Sequence, residues 1–244
     1  MSETLRVALI AEGPTDATLI EAALKGFLDR PFVLIQLQPE PTRPQMGAGW
    51  GGVLKWCRAF AAGGHAALEN DPTLEGFDLF ILHLDADVAN KSYADYGDEL
   101  VHLAAAQGLP AMPCARPCPP ASASVEQVER LLGGWLNLPA GSPGPQTVWC
   151  IPSKSTESWL VAAWLNTETA LLAGVECNAR LESRLASLPK GRKLRKTVTD
   201  YRKAAPELTR RWHSNVRPHC AQAHLFEQRV TAALPPATHA PTAT

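Results

Sequence analysis

Two stretches decide the fold, LRVALIAEGPTD at residues 5–16 and FDLFILHLDADV at residues 77–88. Each begins as a continuous apolar run, which is typical of a strand buried on both faces of a parallel α/β sheet. Each ends on acidic residues, Glu12 in the first stretch and Asp85 and Asp87 in the second. Because ligands of such sheets gather at the carboxyl ends of the strands, we expect these carboxylates to share one edge.

Three carboxylates that converge without a cation would repel one another. Their oxygens are ligands for hard divalent ions, so we expect Mg²⁺, or Mn²⁺ in its place, as one or two bound ions. Residues 85 and 87 alternate along the predicted strand, which would point both side chains to the same face. The two stretches therefore predict a metal site.

The order of these motifs resembles the Toprim domain, in which a Glu-Gly turn follows the first strand and an Asp-x-Asp follows a later strand. The chain looks most like nucleases of the overcoming-lysogenization-defect type and their stand-alone relatives in phage-defence and mobile-element loci. Glu12 and Asp16 match the Glu-x3-Asp spacing of that branch. Asp85 and Asp87 match its Asp-x-Asp, and Glu157 in the segment STE looks like its later Ser-x-Glu. The resemblance covers roughly residues 5–165.

This resemblance implies Mg²⁺-dependent hydrolysis of a phosphodiester in DNA or RNA. Asp85 and Asp87 would converge on one ion, and Glu12 would complete that site or act as the general base. Asp16 and Glu157 would hold a second ion about 4 Å from the first, so that the attacking and the leaving oxygen are both stabilised.

A lysine near the scissile phosphate is also implied by the nuclease branch. Lys154 is the closest candidate in sequence, with Lys190 or Lys193 as substitutes. A different class of function stays open, in which the chain is a non-catalytic Toprim-like regulatory module that binds metal and nucleotide. The chain has no Walker motif, so ATP-driven sensing would require a partner ATPase encoded elsewhere.

Each acidic residue also has a structural interpretation. Asp16, with Thr15, could be an N-capping residue of the helix that follows, with Pro14 in its first turn. Asp87 could cap the turn that leaves the strand, and Glu157 could complement the dipole at the start of the helix ESWLVAAWL. These roles would explain three carboxylates separately, but they leave Glu12 unexplained.

The net charge of −1 hides an uneven distribution. Residues 180–217 carry 12 Lys or Arg against Glu182, Asp200 and Glu207, a local charge of +9 that leaves −10 for the rest of the chain. Such a segment can neutralise phosphates, and Tyr201 or Trp212 could stack a base, although a basic run is more often the solvated face of a helix. The residues expected to bind nucleic acid are Lys190, Arg192, Lys193, Arg195, Lys196, Arg202 and Lys203.

Predicted strands and helices alternate up to about residue 165, which favours a parallel-rich α/β sheet flanked by helices. Beyond that point the pattern is helical only. We therefore predict a Toprim-like metal-binding domain at residues 1–165, a basic helical extension at 166–234 and a disordered tail at 235–244.

No apolar stretch reaches the roughly 18 residues that a membrane-spanning helix needs, and no signal sequence precedes the first strand. We therefore expect a soluble cytoplasmic protein without a membrane partner. The six cysteines lack a framework spacing, which predicts reduced thiols in a cytosol. The oligomeric state is left open, a homo-oligomer included.

Overall fold

The computed structural model describes residues 4–138 and 143–234. The strands are β1 (Leu5–Ile10), β2 (Phe32–Gln38), β3 (Leu79–His83) and β4 (Thr147–Cys150). They form a sheet of order β2-β1-β3-β4 in which every neighbouring pair is parallel. The predicted α/β fold class is therefore confirmed, with helices on both faces of the sheet and further helices after β4. The predicted disordered tail at 235–244 lies outside the described residues.

Helices connect the strands and then follow the last one. Between the strands lie α1 (Pro14–Phe27), α2 (Gly49–Ala62), α3 (Asp98–Gln107) and α4 (Ser122–Trp135). After β4 come α5 (Glu157–Trp164), α6 (Thr169–Leu172), α7 (Leu181–Ala186), α8 (Val198–Arg210), a π-helix (Trp212–Val216), α9 (Arg217–His219) and α10 (Ala221–Ala233). Short 3₁₀ helices lie at Pro44–Met46, Leu68–Asn70, Pro72–Leu74, Ala86–Asn90, Tyr93–Asp95 and Val175–Cys177. The prolines of residues 109–114, LPAMPC, limit this segment to a short edge strand or an extended piece, and it forms no strand.

The register of the sheet aligns the carboxyl ends of its two central strands. Ile10 of β1 is opposite Leu82 of β3, and His83 of β3 is opposite Cys150 of β4. Because the strands are parallel, the segments that follow β1, β3 and β4 all leave the sheet at the same edge.

Side-chain alternation gives the sheet two apolar faces, each covered by helices. On one face Val7 and Leu9 pack with α1, α5, α8 and α10, whereas on the other Ala8 and Ile10 pack with α2 and α4. The helices after residue 165 therefore share a core with the sheet, although we predicted them as an extension. Tyr201 and Trp212 are fully buried in that core, so the prediction that they stack a base is wrong.

Helix α1 approaches α8 and the π-helix closely because Gly26 has no side chain. A Cβ atom at Gly26 would lie 2.7 Å from Cβ of Trp212 and 3.1 Å from the carbonyl oxygen of Thr209. The Thr209 hydroxyl also donates a hydrogen bond of 2.8 Å to the carbonyl oxygen of Ala22. The C-terminal helices are thus fixed to α1 by close backbone contact.

A disulfide joins Cys118, in the segment before α4, to Cys177, at the end of the 3₁₀ helix Val175–Cys177. The prediction of six reduced thiols is therefore wrong for this pair, because residues 59 positions apart meet in space. Cys57, Cys150 and Cys220 are buried free thiols, and Cys114 is an exposed one. The Cys118 sulfur lies 3.5 Å from Oγ of Ser153, so the disulfide touches the loop between β4 and α5.

Candidate metal centre

The carboxyl edge of the sheet gathers acidic residues from the segments that follow β1 and β3 and from the first turns of α1 and α5. Glu12 follows β1 by two residues, and its Oε1 accepts a hydrogen bond of 2.8 Å from the backbone N–H of Asp85. Asp85 follows β3 by two residues and is buried. The two central strands therefore bring their carboxylates together, as the sequence predicts.

Asp85 and Asp87 do not share a strand, which corrects the prediction that alternation points both to one face. The strand ends at His83, and residues 86–90 form a 3₁₀ helix instead. Asp87 is exposed on that helix, whereas Asp85 is buried beside the strand end. The backbone stays extended for two residues beyond the strand, through Asp85, so the side chains that alternate to one face there are those of His83 and Asp85.

His83 is a site residue that the sequence analysis missed. Its imidazole is fully buried, and its Nε2 lies 3.2 Å from Oδ1 of Asp85. The same Oδ1 atom accepts a hydrogen bond of 3.2 Å from the backbone N–H of Thr156. One oxygen of Asp85 thus meets both the end of β3 and the β4–α5 loop.

Asp16 lies in the first turn of α1, but it does not cap that helix. The N-cap position is Gly13, without a side-chain cap, and Oδ1 of Asp16 accepts a hydrogen bond of 2.6 Å from the hydroxyl of Thr156. Ligand atoms of Asp16, His83 and Asp85 all lie within 4.8 Å of one another, and all three residues are buried. The capping interpretation of Asp16 is therefore wrong, and its carboxylate belongs to the cluster.

Burial and mutual repulsion weaken the acidity of the clustered carboxyls. Burial, followed by the charge of Asp85, raises the pKa of Glu12 from 4.5 to about 8. Burial, followed by the charges of Asp16 and Glu157, raises the pKa of Asp85 well above its usual range. A bound cation would relieve this repulsion, because it favours the charged form of each carboxyl.

Glu157 is buried in the first turn of α5 and is held by residues from the C-terminal helices. Its Oε1 accepts a hydrogen bond of 2.8 Å from the hydroxyl of Tyr201 and lies 3.1 Å from Nζ of Lys196. Burial alone would raise the pKa of Glu157, but the Lys196 ammonium and hydrogen bonds bring it below its usual value. The same carboxylate, with those of Asp16 and Asp85, raises the pKa of Lys196 despite burial. Glu157 therefore belongs to the cluster, with Lys196 as its counter-ion.

Lys154, the lysine predicted to lie near a scissile phosphate, is half-buried in the β4–α5 loop. Its carbonyl oxygen is 3.4 Å from the backbone nitrogen of Asp87, and its charge contributes to lowering the pKa of Asp87. Although Asp87 is on the surface, partial desolvation by the surrounding protein outweighs that effect and raises the pKa of Asp87 overall. Lys196, which we predicted only as a nucleic-acid contact, is the lysine that forms an ion pair in the cluster.

The other predicted nucleic-acid contacts lie around the start of α8. Arg195 forms an ion pair with Asp200, and Arg192 donates a hydrogen bond to the carbonyl oxygen of Trp164. The remaining members of the set are exposed, namely Lys190, Lys193, Arg202 and Lys203. The segment therefore contains both solvent-facing cations and cations that are already paired within the protein.

Comparisons of the chain with protein-family models, with curated proteins and with solved structures find no match. Within residues 4–138 and 143–234, no helix has the length and apolar character needed to cross a membrane.

Proposed function

We propose that this chain is a metal-dependent phosphodiesterase that hydrolyses nucleic acid. The observation that carries the proposal is the buried cluster of Asp16, His83 and Asp85 at the carboxyl edge of a parallel sheet. Carboxylates and an imidazole in reach of one point are donors that fit a divalent ion. Ionising both aspartates without a cation would cost free energy, because two like charges would be buried close together.

A divalent ion at such a site supplies Lewis-acid stabilisation of phosphate oxygens and lowers the pKa of a bound water. Asp16 and Asp85 are the carboxylates placed to hold the ion, and Thr156 orients both of them through its hydroxyl and backbone N–H. Glu12 is the neighbouring carboxylate that would take a proton from the attacking water. Lys196, whose side chain is 37% exposed, would meet a phosphate at the rim.

The basic surface around α8 supports a polyanionic substrate. Lys190, Lys193, Arg202 and Lys203 are exposed on the half of the chain that also provides Lys196. Such cations bind a phosphate backbone mainly by releasing counterions, without reading the base sequence. DNA and RNA both fit this description.

A cytoplasmic location is also part of the proposal. The Cys118–Cys177 disulfide stands against that location, because disulfides are rare in the cytosol.

The direct test is incubation of the purified protein with plasmid DNA, linear DNA and transfer RNA, with Mg²⁺, with Mn²⁺ and with EDTA. We expect cleavage that requires the metal and that falls about 100-fold or more in Asp85→Asn, which keeps the shape of the side chain. Asp29→Ala, at an exposed carboxylate before β2, is the matched control and should cleave like the wild type. Equal cleavage by Asp85→Asn, or none by the wild type under any condition, would contradict the proposal and favour a non-catalytic binding module.

A further inference from the structure

His83 distinguishes this cluster from a purely carboxylate site. The ring is fully buried at the last position of β3, and alternation places it on the same face as Asp85. Its Nε2 is 3.2 Å from Asp85, and a ring nitrogen lies within 4.8 Å of a carboxylate oxygen of Asp16. Two ligands at about 2.0–2.2 Å from one ion lie at most about 4.4 Å apart, so the 3.2 Å separation fits a ligand pair and Asp16 would need only a small adjustment.

The other ring nitrogen of His83 has no hydrogen-bond partner among the described residues. Its Nδ1 is buried, and an unsatisfied buried polar atom costs about 1–3 kcal/mol. A histidine that served only the core would be expected to have both ring nitrogens bonded. Nε2 thus faces Asp85 while Nδ1 is unsatisfied, so hydrogen bonds within the described residues do not account for both ring nitrogens.

The negative charge of the cluster that no lysine or arginine balances equals that of one divalent cation in size. Lys196 is the counter-ion of Glu157, so that pair is close to neutral. Metal binding requires ionised carboxylates and an uncharged imidazole, so as ligands Asp16 and Asp85 would together contribute a charge of −2. No lysine or arginine of the described chain forms an ion pair with either of these two aspartates within 4.0 Å.

Oxygen and nitrogen donors select different ions. Mg²⁺ prefers an all-oxygen octahedral shell, whereas an imidazole suits first-row transition metals. We propose that this site takes a transition-metal ion of the Mn²⁺, Co²⁺ and Zn²⁺ class in preference to Mg²⁺, and that His83 is the nitrogen ligand that sets the preference. The inference rests on the metal site of the proposed function, and it replaces Mg²⁺ as the first candidate.

The test is metal binding without nucleic acid, with Co²⁺ followed by its visible absorption and Mg²⁺ by competition against Co²⁺. We expect the wild type to bind Co²⁺ about 100-fold or more tightly than Mg²⁺. His83→Gln should lower the affinity for Co²⁺ about 10- to 100-fold and change the affinity for Mg²⁺ less than about threefold. His102→Gln, at an exposed histidine of α3, is the matched control and should bind both ions like the wild type.

A second measurement needs only the wild type and therefore decides the question if His83→Gln does not fold. In protein labelled with ¹⁵N at its seven histidines, Zn²⁺ should shift the ring nitrogens of one imidazole strongly and Mg²⁺ should not. Equal affinity of the wild type for Co²⁺ and Mg²⁺, or no histidine shift with Zn²⁺, would overturn the inference. Transition-metal preference without nuclease activity would refute only the proposed function. Cleavage with a preference for Mg²⁺ would refute only the inference.

Discussion

The carboxylates of the cluster have different partners, and these decide what a single substitution does. Glu157 has both a cation and a hydroxyl, from Lys196 and Tyr201. Asp85 has a backbone N–H and an imidazole, whereas Glu12 has the backbone N–H of Asp85. Removing Lys196 should therefore destabilise the protein, because the charge of Glu157 loses its counter-ion. Removing the carboxylate of Glu12 should instead remove a source of repulsion with Asp85.

Replacing Lys196 should destabilise the protein by removing the counter-ion of a buried carboxylate. We expect Lys196→Met to lower the free energy of unfolding by about 1–2 kcal/mol, less than for a fully buried pair, because solvent screens the 37% exposed lysine. Urea unfolding at neutral pH without added metal measures this. Lys193→Met, at an exposed lysine nearby, should stay within about 0.5 kcal/mol of the wild type. Equal stability of the two variants would show that the ion pair contributes nothing.

The raised pKa of Glu12 predicts a pH dependence of stability. The group keeps its proton up to about pH 8 in the folded chain but loses it near 4.5 when unfolded. The folded state therefore binds more protons between these values, and the metal-free protein should lose stability as pH rises through this window.

Glu12→Gln removes one titrating group, so its stability should fall less steeply from pH 5 to 8. The slopes should differ by about 1 kcal/mol per pH unit, close to the limit for one proton. Urea unfolding at several pH values in EDTA measures both slopes. Glu75→Gln, at an exposed glutamate, should follow the wild type. Parallel curves for Glu12→Gln and the wild type would contradict the raised pKa.

Glu12 and Asp85 could be predicted from the sequence because a buried strand delivers its next residues to a known edge of the sheet. His83 could have been found by the same argument, since it lies two residues before Asp85, but we took it as part of the apolar run. The hydroxyl of Tyr201 and the ammonium of Lys196 could not be predicted. Their partner Glu157 is about 40 residues away, and no local pattern encodes that contact.

Helices and strands with a clear apolar period lie where the sequence predicts them. The residues at which these elements end are predicted less well. The helical spacing of Leu19, Ala23 and Phe27 predicts a helix over about residues 15–28, and α1 lies at 14–27. Strand β3 was expected to reach Asp85, because its apolar run continues through Leu84, but regular pairing stops at His83. Beyond it, the backbone N–H groups of Leu84 and Ala86 still donate to the carbonyl oxygens of Cys150 and Pro152, but residues 86–90 already form a 3₁₀ helix. Apolar composition alone does not report where a strand changes into a helix.

At the level of elements, the contact between α1 and the C-terminal helices depends on Gly26. Gly26→Ala should destabilise the protein by about 1–3 kcal/mol, although alanine favours helix, because the new methyl group would overlap Trp212. Thermal or urea unfolding measures the change. Gly174→Ala is the matched control, since a Cβ atom there meets nothing within 4 Å. A Gly26→Ala protein as stable as the wild type would show that the helices can move apart at little cost.

At the scale of the whole molecule, the Cys118–Cys177 disulfide connects the segment before α4 to the helices after β4. Closing a loop of this length stabilises a protein by about 4 kcal/mol in the chain-entropy model. Replacing both cysteines with alanine should therefore lower the free energy of unfolding by about 2–4 kcal/mol, as measured under oxidising conditions. Cys114→Ala, at the exposed free thiol, should leave it unchanged. A double variant with wild-type stability would contradict a contribution from the bond.

The basic surface should determine how binding of duplex DNA depends on salt. With Asp85→Asn to prevent cleavage, changing Lys190, Lys193, Arg202 and Lys203 together to Gln should reduce the slope of log K against log salt by about 3–4. Arg184→Gln with Arg210→Gln is a control, because these arginines are paired with Glu168 and Glu207. An unchanged slope in the fourfold variant would mean that these cations do not contact phosphate.

The dependence of Glu157 on Lys196 and Tyr201 also decides what a truncated chain would retain. A chain cut after α5 would keep every acidic motif, but it would lose both partners of Glu157. It would also lose α8 and α10, which cover one apolar face of the sheet. The acidic motifs are therefore contiguous in the first part of the sequence, whereas the fold that holds them requires the helices that follow.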